Sequence, residues 1–246
     1  DGANQTPLHY AAKCLSPELI QLLLAHGARK QVRDGDGTTP FHVSATGTRK
    51  QTNKCTSLLI DLHTAVQLGK EDEVQVLVQT GRQDVNVRDE EGKTALHLAA
   101  VTGAPRIAAL LIDYGAGLDE RALDGSTPLH GACGAGQNEC VELLLERGAM
   151  VDVRDAKQQS LLHLVARNND TKLVDLLLER GVVVDAQDED GMTALHYAAQ
   201  ASSEVVVESL LHKGADKGLK NAAGKTPYML SLNRTRELRK APRSSV

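Results

Sequence analysis

The sequence predicts an all-α protein in which short helix–turn–helix repeats stack side by side into a solenoid. The main observation is a four-residue motif that opens with threonine or serine and in most copies ends with histidine. From Thr94 to Thr226 its first residue recurs every 33 residues, and a fixed period of this length indicates a stacked array. Aromatic residues make up only 2% of the chain, which fits thin layers of alanine and leucine helices better than one large core.

The stretch Asp124–Ala149 shows why one repeat should fold as turn, helix, turn, helix. Thr127 stands where a helix needs an N-cap, because its hydroxyl can accept a hydrogen bond from an unpaired backbone N–H. The sequence then predicts a first helix over Leu129–Ala135 that ends at Gly136. A second, leucine-rich helix follows, and Gly148 occupies the position after it that favours left-handed backbone. Two such short helices need copies of themselves as neighbours to be stable.

The copies of the motif carry a family resemblance. They read TPLH, TPFH, TALH, TPLH, SLLH, TALH and TPYM, beginning at Thr6, Thr39, Thr94, Thr127, Ser160, Thr193 and Thr226. This motif and its spacing closely resemble the ankyrin repeat, and the resemblance covers essentially the whole chain. It implies an array of about eight repeats over residues 1–232, followed by a basic, polar C-terminal tail or capping segment over residues 233–246.

Three repeats depart from the pattern. In the second, the polar segment Thr46–Ser57 replaces a clean second helix, and the chain enters the third repeat without a recognisable turn. Either a short second helix fuses with the following helix or the segment is an irregular loop, and the sequence leaves both open. In the sixth repeat Gln158 and Asn169 replace two glycines, so we expect it to be the weakest of the regular repeats. The eighth repeat is truncated after its TPYM motif.

The motif histidines are the first candidates for chemistry, because they account for seven of the nine histidines in the chain. The resemblance implies a structural role for them, in which each bonds the cap threonine and neighbouring backbone. A zinc site made from His130, Cys133 and Cys140 would lack a fourth ligand. We therefore expect no catalytic residues, no metal, no cofactor and no enzyme activity. The seven histidines are His9, His42, His63, His97, His130, His163 and His196.

Charge and composition narrow the partners and the compartment. The chain has a net charge of −4, with 28 basic and 32 acidic residues, and its basic residues are enriched in Arg234–Val246. An acidic body with few aromatic rings is a poor nucleic-acid binder. The four cysteines form no CxxC pair, which favours a reducing compartment, cytoplasmic or nuclear. The chain has no apolar run long enough to insert into a membrane, and we expect a monomer.

The resemblance also implies where a partner binds, since ankyrin arrays use the turns between repeats and the exposed ends of the first helices. Carried over position by position, the turn sites are Glu90, Glu91, Lys93, Leu123, Asp124, Ser126, Ala156, Lys157, Gln159, Glu189, Asp190 and Met192. The helix-end sites are Val101, Thr102, Gly134, Ala135, Arg167, Asn168, Gln200 and Ala201.

The resemblance therefore implies a non-enzymatic interaction module or scaffold that binds a protein or peptide in a concave groove. Acidic residues recur among the turn sites, which favours a basic ligand. The alternative is a regulatory domain that recruits substrates or partners for a larger enzyme or channel. What flanks this stretch in the parent protein would discriminate between the two.

Overall fold

The computed structural model of the protein describes residues 3–45, 55, 58–81 and 83–231. The chain divides into two compact parts, Asp1–Asp84 and Val85–Val246, which we call the N-terminal and C-terminal segments and describe separately. The regular structure of the described residues is helical, apart from one isolated β-bridge between Arg154 and Ser160. The prediction of an all-α repeat fold is therefore confirmed.

The helices are short and follow the predicted order. Those of the N-terminal segment are α1 (Pro7–Lys13), α2 (Pro17–Ala25), α3 (Pro40–Ser44), α4 (Leu62–Gln67) and α5 (Glu71–Gln79). Those of the C-terminal segment are α6 (Ala95–Thr102), α7 (Pro105–Asp113), α8 (Pro128–Ala135), α9 (Asn138–Glu146), α10 (Leu161–Arg167), α11 (Thr171–Glu179), α12 (Ala194–Ala201) and α13 (Glu204–His212). Residues 227–231 are also helical and begin the eighth repeat.

Each regular first helix begins at the predicted cap, and the motif histidine completes that cap. In α8 the hydroxyl of Thr127 lies 2.9 Å from Nδ1 of His130, and the Thr127 backbone N–H donates to the same nitrogen at 3.3 Å. Thr6, Thr94, Ser160 and Thr193 form the same capping box with the histidine three residues later. The structural role implied for these histidines is thus present in the fold.

Packing between repeats explains why the unit must recur. In the C-terminal segment the first helices contact one another in order, α6 with α8, α8 with α10, and α10 with α12. The second helices supply large apolar side chains to the same core, and Leu144 of α9 is fully buried. Burial of such a leucine stabilises a fold by about 1.5–3 kcal/mol. A single helix pair buries too few such side chains to be stable alone, so each repeat needs neighbours.

The sixth repeat keeps the turn geometry although it lacks two of the usual glycines. Gln158 and Asn169 both adopt a φ of +60°, in the left-handed region that glycine occupies at the equivalent Gly125 and Gly136. Asparagine tolerates this region better than most residues, but glutamine is strained there. The repeat register therefore overrides local preference at Gln158.

The structure excludes one of the two alternatives for the junction between the second and third repeats, namely a second helix that fuses with the following helix. Cys55 and residues 58–59 are helical, but Ile60 and Asp61 are not, so the second repeat does not fuse with α4. Asp61 caps α4 by accepting a hydrogen bond from the Thr64 N–H at 2.8 Å. His63 lies only two residues after this cap, so the capping role implied for it is wrong. The rest of Thr46–Ser57 lies outside the described residues.

The end of the array can be compared with the sequence only as far as Ser231. The tail or capping segment predicted for residues 233–246 lies outside the described residues, and the boundary at 232 stays a prediction. Within the described part of the chain, no helix combines the length and the apolar composition that crossing a bilayer requires.

Candidate functional site

The turns between repeats in the C-terminal segment form a row held by backbone hydrogen bonds. We call these turns fingers and define them as residues 89–93, 122–126, 155–159 and 188–192. In each finger the second and third residues form the tip. The N–H of the second residue donates to the carbonyl of the third residue in the preceding finger. The bonds are Leu123 N to Glu91 O (3.0 Å), Ala156 N to Asp124 O (2.9 Å) and Glu189 N to Lys157 O (3.1 Å). The ladder continues into the turn that follows the last finger, where Ala222 N donates to Asp190 O (2.8 Å). Main-chain atoms therefore fix the spacing of the tips, whatever side chains the tips carry.

In three of the four fingers the first residue is an aspartate that holds the turn closed. In the finger 188–192, one carboxylate oxygen of Asp188 accepts from the N–H groups of Asp190 (3.0 Å) and Met192 (2.9 Å). Asp89 and Asp155 make the same pair of bonds in their own fingers. These carboxylates are thus committed to the scaffold, although in the sequence they look like part of an acidic row.

The finger 122–126 is the exception, because alanine occupies its first position. Ala122 is buried, and the neighbouring Asp124 accepts from the N–H and the hydroxyl of Ser126 instead. These hydrogen bonds, the side-chain bond from Ser126 foremost, hold the pKa of Asp124 below its usual value. Asp124 therefore stays ionised at neutral pH while it remains exposed at the tip.

A column of arginines behind the fingers connects one repeat to the next, and it was not predicted from the sequence. Arg121 donates through Nη1 to the carbonyl of Gly125 in its own finger (3.0 Å) and to that of Arg154 in the next repeat (2.7 Å). Arg154 repeats the pattern with Gln158 (3.3 Å) and Gln187 (2.8 Å), and Arg88 donates to Arg121. The 33-residue spacing of Arg88, Arg121 and Arg154 was the available signal.

The tips are where most of the predicted turn sites lie exposed. Leu123 is 79% exposed, the highest value among the large apolar side chains described. The Lys93 ammonium lies 3.2 Å from the Glu91 carboxylate, so positive and negative charge meet at the first of these fingers. The exposed acidic residues of the tips are Glu90, Glu91, Asp124, Glu189 and Asp190, and Ala156 and Lys157 are exposed at the tip between them.

Two predicted turn sites are drawn into the protein instead. Met192 is buried, with its sulfur 3.3 Å from Nδ2 of Asn221, so its side chain is not presented to a partner. Gln159 is half-buried and donates to the hydroxyl of Tyr197 (2.9 Å), which in turn donates to Asp188 (2.6 Å). Burial, together with the Asp188 carboxylate, raises the pKa of Tyr197 to about 12, so the phenol stays protonated.

The predicted helix-end sites border the fingers and are mixed in character. Val101 is 43% exposed, and Arg167 and Gln200 are exposed as well. Asn168 is partly committed, because its amide donates to the carbonyls of Cys133 (3.1 Å) and Gly134 (2.6 Å) in the preceding repeat. Thr102 is exposed, and its hydroxyl donates to the Leu98 carbonyl (2.8 Å). Of the other sites, Ala135 is exposed and Gly134 and Ala201 are half-buried.

The buried titratable groups are arranged for structure. In the C-terminal segment the backbone N–H of each cap donates to Nδ1 of its histidine, so the ring proton lies on Nε2. The Nε2 atom reaches a carbonyl of the next repeat in His97, His163 and His196, and in His163 it lies 2.9 Å from the Met192 carbonyl. In His130 it is buried without a hydrogen-bond partner among the described residues. Burial raises the pKa of the Cys140 thiol to about 11, which leaves it unreactive at neutral pH. In the residues that the structure describes, no three histidine, cysteine or carboxylate side chains are grouped to hold a metal.

Comparisons with known proteins agree with this architecture. The family model described as "Ankyrin repeats (3 copies)" matches residues 1–61, 62–155 and 150–221. The B-cell lymphoma 3 protein homolog of Mus musculus is 35% identical over 119 residues, which are 48% of this chain and 22% of that protein. The neurogenic locus notch homolog protein 1 of Xenopus laevis is 32% identical over 132 residues, which are 48% of this chain and 5% of that protein. These matches thus span no more than 22% of either relative.

Proposed function

This chain belongs to the ankyrin-repeat family, a fold of non-catalytic interaction repeats, and from that premise we propose that its fingers and first-helix ends bind a protein or peptide. The observation that carries the proposal is the backbone ladder between the fingers. It holds exposed tips at a fixed spacing without using their side chains, so the tips are pre-organised for a ligand. The surface consists of the exposed turn sites and helix-end sites between Glu90 and Gln200.

The charges of the tips support a basic ligand with an apolar centre. Along the row, the second finger residues are Glu90, Leu123, Ala156 and Glu189, so at this position two apolar side chains lie between two acidic ones. The third residues of the two middle tips are Asp124 and Lys157, whose opposite charges add no net charge to the centre of the row. Successive helices pack about 8–10 Å apart, which separates the outer two acids by roughly 25–30 Å. An extended peptide covers that distance with about eight residues. The ligand would therefore carry Lys or Arg near both ends and a large apolar side chain between them.

The histidines and cysteines support a role without catalysis. The motif histidines of the C-terminal segment are buried, and their Nδ1 atoms are hydrogen-bonded in the helix caps. The buried thiols of Cys133 and Cys140 are neutral and therefore poor nucleophiles. We accordingly propose a non-enzymatic module without a cofactor. We also propose that it is a monomer in the cytoplasm or nucleus and has no affinity for nucleic acid. Sedimentation that shows dimers at micromolar concentration would contradict the monomer.

The alternative, a recruiting domain of a larger enzyme or channel, uses the same surface. This alternative is supported by the matched relatives, because they are much longer than the region that they share with this chain. In that case the ligand is a substrate or subunit of the parent protein. Sequencing the parent gene on both sides of Asp1 and Val246 distinguishes the two.

The experiment is selection from a displayed library of random peptides about twelve residues long, followed by kinetic measurement of the selected peptides. We expect enrichment of peptides with basic residues flanking an apolar one. Their binding should weaken as salt rises, because exposed charges are screened beyond about 8–10 Å at physiological salt. The double variant Glu90→Lys, Asp190→Lys should slow association, since rim charges act mainly on the on-rate.

The matched control is the double variant Glu146→Lys, Glu179→Lys, which makes the same charge change at exposed positions on α9 and α11. It should leave association nearly unchanged. Selected peptides that are acidic, or that bind both double variants alike, would contradict a basic ligand at the tips. Leu123→Ala then tests whether the apolar tip still contributes.

A further inference from the structure

The arginine column behind the fingers keeps hydrogen-bonding capacity that the scaffold does not use. A guanidinium group carries five N–H donors on Nε, Nη1 and Nη2. In both Arg121 and Arg154, the two carbonyls that the side chain reaches accept from Nη1. Within the described part of the chain, Nε and Nη2 of these two side chains make no hydrogen bond. Arg121 is exposed and Arg154 is half-buried, so charge and N–H donors remain available at the surface.

Arg88, the first arginine of the column, shows which group fits these donors. Its Nη2 donates to the carboxylate of Glu120, which lies 32 residues later in the next repeat. Both side chains lie at the surface, 44% and 37% exposed. Charge-assisted hydrogen bonds of this kind are roughly twice as strong as neutral ones, and the guanidinium fork matches a carboxylate. The column therefore already holds one carboxylate, which the chain itself supplies.

The two following arginines lack this carboxylate. The residues 32 positions after Arg121 and Arg154 are Val153 and Ala186, which are apolar and only 5% and 6% exposed. Among the residues that the structure describes, no Asp or Glu forms an ion pair with Arg121 or Arg154. Asp155, next to Arg154 in the chain, uses its carboxylate for N–H groups of its own finger. Two carboxylate sites of the column are thus open.

We propose that Arg121 and Arg154 bind an acidic segment of a partner protein, whose carboxylates take the place that Glu120 takes beside Arg88. The charge complementarity is the one that the chain already uses at Arg88. Binding leaves the Nη1 bonds to the carbonyls intact, so the column connects the repeats and binds the ligand at the same time. The tips are not involved, and this surface is therefore independent of the basic ligand proposed for them.

The spacing of the column selects the shape of that segment. Successive repeats place Arg121 and Arg154 about 8–10 Å apart, the distance between packed helices. In a polyproline II segment, residues three positions apart lie on the same side and about 9 Å apart. Residues on one face of a β-strand are about 7 or 13 Å apart and fit less well. Two acidic residues three positions apart therefore match the two open sites.

The test is an NMR titration of the full, isotope-labelled chain with three synthetic nonapeptides. The probe repeats Glu-Pro-Pro three times, the charge control repeats Gln-Pro-Pro, and the spacing control has the composition of the probe with its glutamates at every second position. We expect the probe to shift the Nε–H signals of Arg121 and Arg154 saturably. The spacing control should bind several-fold more weakly, and the charge control should leave the signals unchanged. The signals are assigned by their loss in Arg121→Met and Arg154→Met.

Glu120→Gln is the decisive variant, because it frees Arg88 and leaves Arg121 and Arg154 as they are. An exposed ion pair changes an affinity by up to about fivefold, so a third site should strengthen probe binding by about two- to fivefold. A purely structural column predicts no such gain. Glu146→Gln, at an exposed position on α9, makes the same charge change away from the column and should leave the affinity nearly unchanged. Arg121→Met should weaken binding by a similar factor, and if it fails to fold, as judged by circular dichroism, Glu120→Gln still decides.

Several results would overturn the proposal. Shifts of equal size with the Gln-Pro-Pro peptide would show that carboxylates are not recognised. Equal binding of the spacing control would contradict a ligand that spans two arginines. An unchanged affinity in Glu120→Gln would show that the column does not bind carboxylates at the place of Glu120. Inorganic phosphate that moves the same signals at lower concentrations than the probe would assign the arginines to a phosphorylated partner instead.

Discussion

Acidification should destabilise the C-terminal segment through its buried motif histidines. His97, His130, His163 and His196 are at most 2% exposed, and burial is the main cause that lowers the pKa of each. Their Nδ1 atoms accept from a backbone N–H of the cap, so a second ring proton would point at another donor. The folded state therefore favours the neutral imidazole.

The sign and size of the effect follow from the difference between the folded and unfolded states. Because the folded pKa is below the unfolded value of about 6.5, the unfolded chain binds more protons in between, and stability falls as pH falls through about 6.5. Each histidine that stays neutral in the folded state lowers the free energy of unfolding by about 1.4 kcal/mol between pH 7.5 and 5.5. Four such histidines set an upper bound of about 5 kcal/mol, a large part of a typical domain's stability.

The assay is urea unfolding at pH 7.5, 6.5 and 5.5 and constant ionic strength, followed by circular dichroism. His130→Gln should reduce the pH dependence by about a quarter, because it removes one of the four buried histidines that contribute to it. His212→Gln, at an exposed position outside the motif, is the matched control and should leave the dependence as it is. Stability that is flat or rises between pH 7.5 and 5.5 would refute the neutral capping histidine.

Three further predictions concern the scaffold, and each is measured by urea titration at neutral pH. Leu144→Ala should cost about 2–5 kcal/mol, since the side chain is fully buried, and a near-zero cost would mean that its core position is wrong. Thr127→Ala should cost about 1 kcal/mol through the lost cap, whereas Thr127→Ser should keep most of it. Arg154→Met should cost about 1 kcal/mol through two lost hydrogen bonds to carbonyls, while Arg180→Met at an exposed helix end should be nearly neutral.

The sequence predicts the fold well because its signals are local. Helix starts depend on a cap residue and helix ends on a left-handed position, and both can be identified in one repeat. α8 accordingly begins at Pro128 after the Thr127 cap and ends before Gly136, which has a φ of +68°. The helix start at Asp61 departs from the pattern, because an aspartate cap two residues before His63 replaces the usual spacing of three residues between cap and histidine.

The candidate surface is harder to predict, because its exposure is decided between repeats. Lys93, Ser126, Gln159 and Met192 occupy one finger position, and the single apolar residue among them is the buried one. That difference in character was a signal for burial. The arginine column could not be predicted from local sequence, because its hydrogen bonds depend on a carbonyl 33 residues away that lies within reach of the guanidinium.

The fingers separate the atoms that hold the scaffold from those that face a ligand. The scaffold bonds use backbone groups, the aspartate at the first finger position and the arginine behind it, whereas tip side chains are largely unused. Glu90, Leu123, Ala156 and Glu189 differ in charge and size, yet their fingers share the same backbone ladder. Substitution at a tip can therefore change what is bound with little change in stability, whereas substitution one residue earlier acts on the fold. Recognition in this protein is thus expected to depend on the tips, and its strength on how well the backbone ladder keeps their spacing.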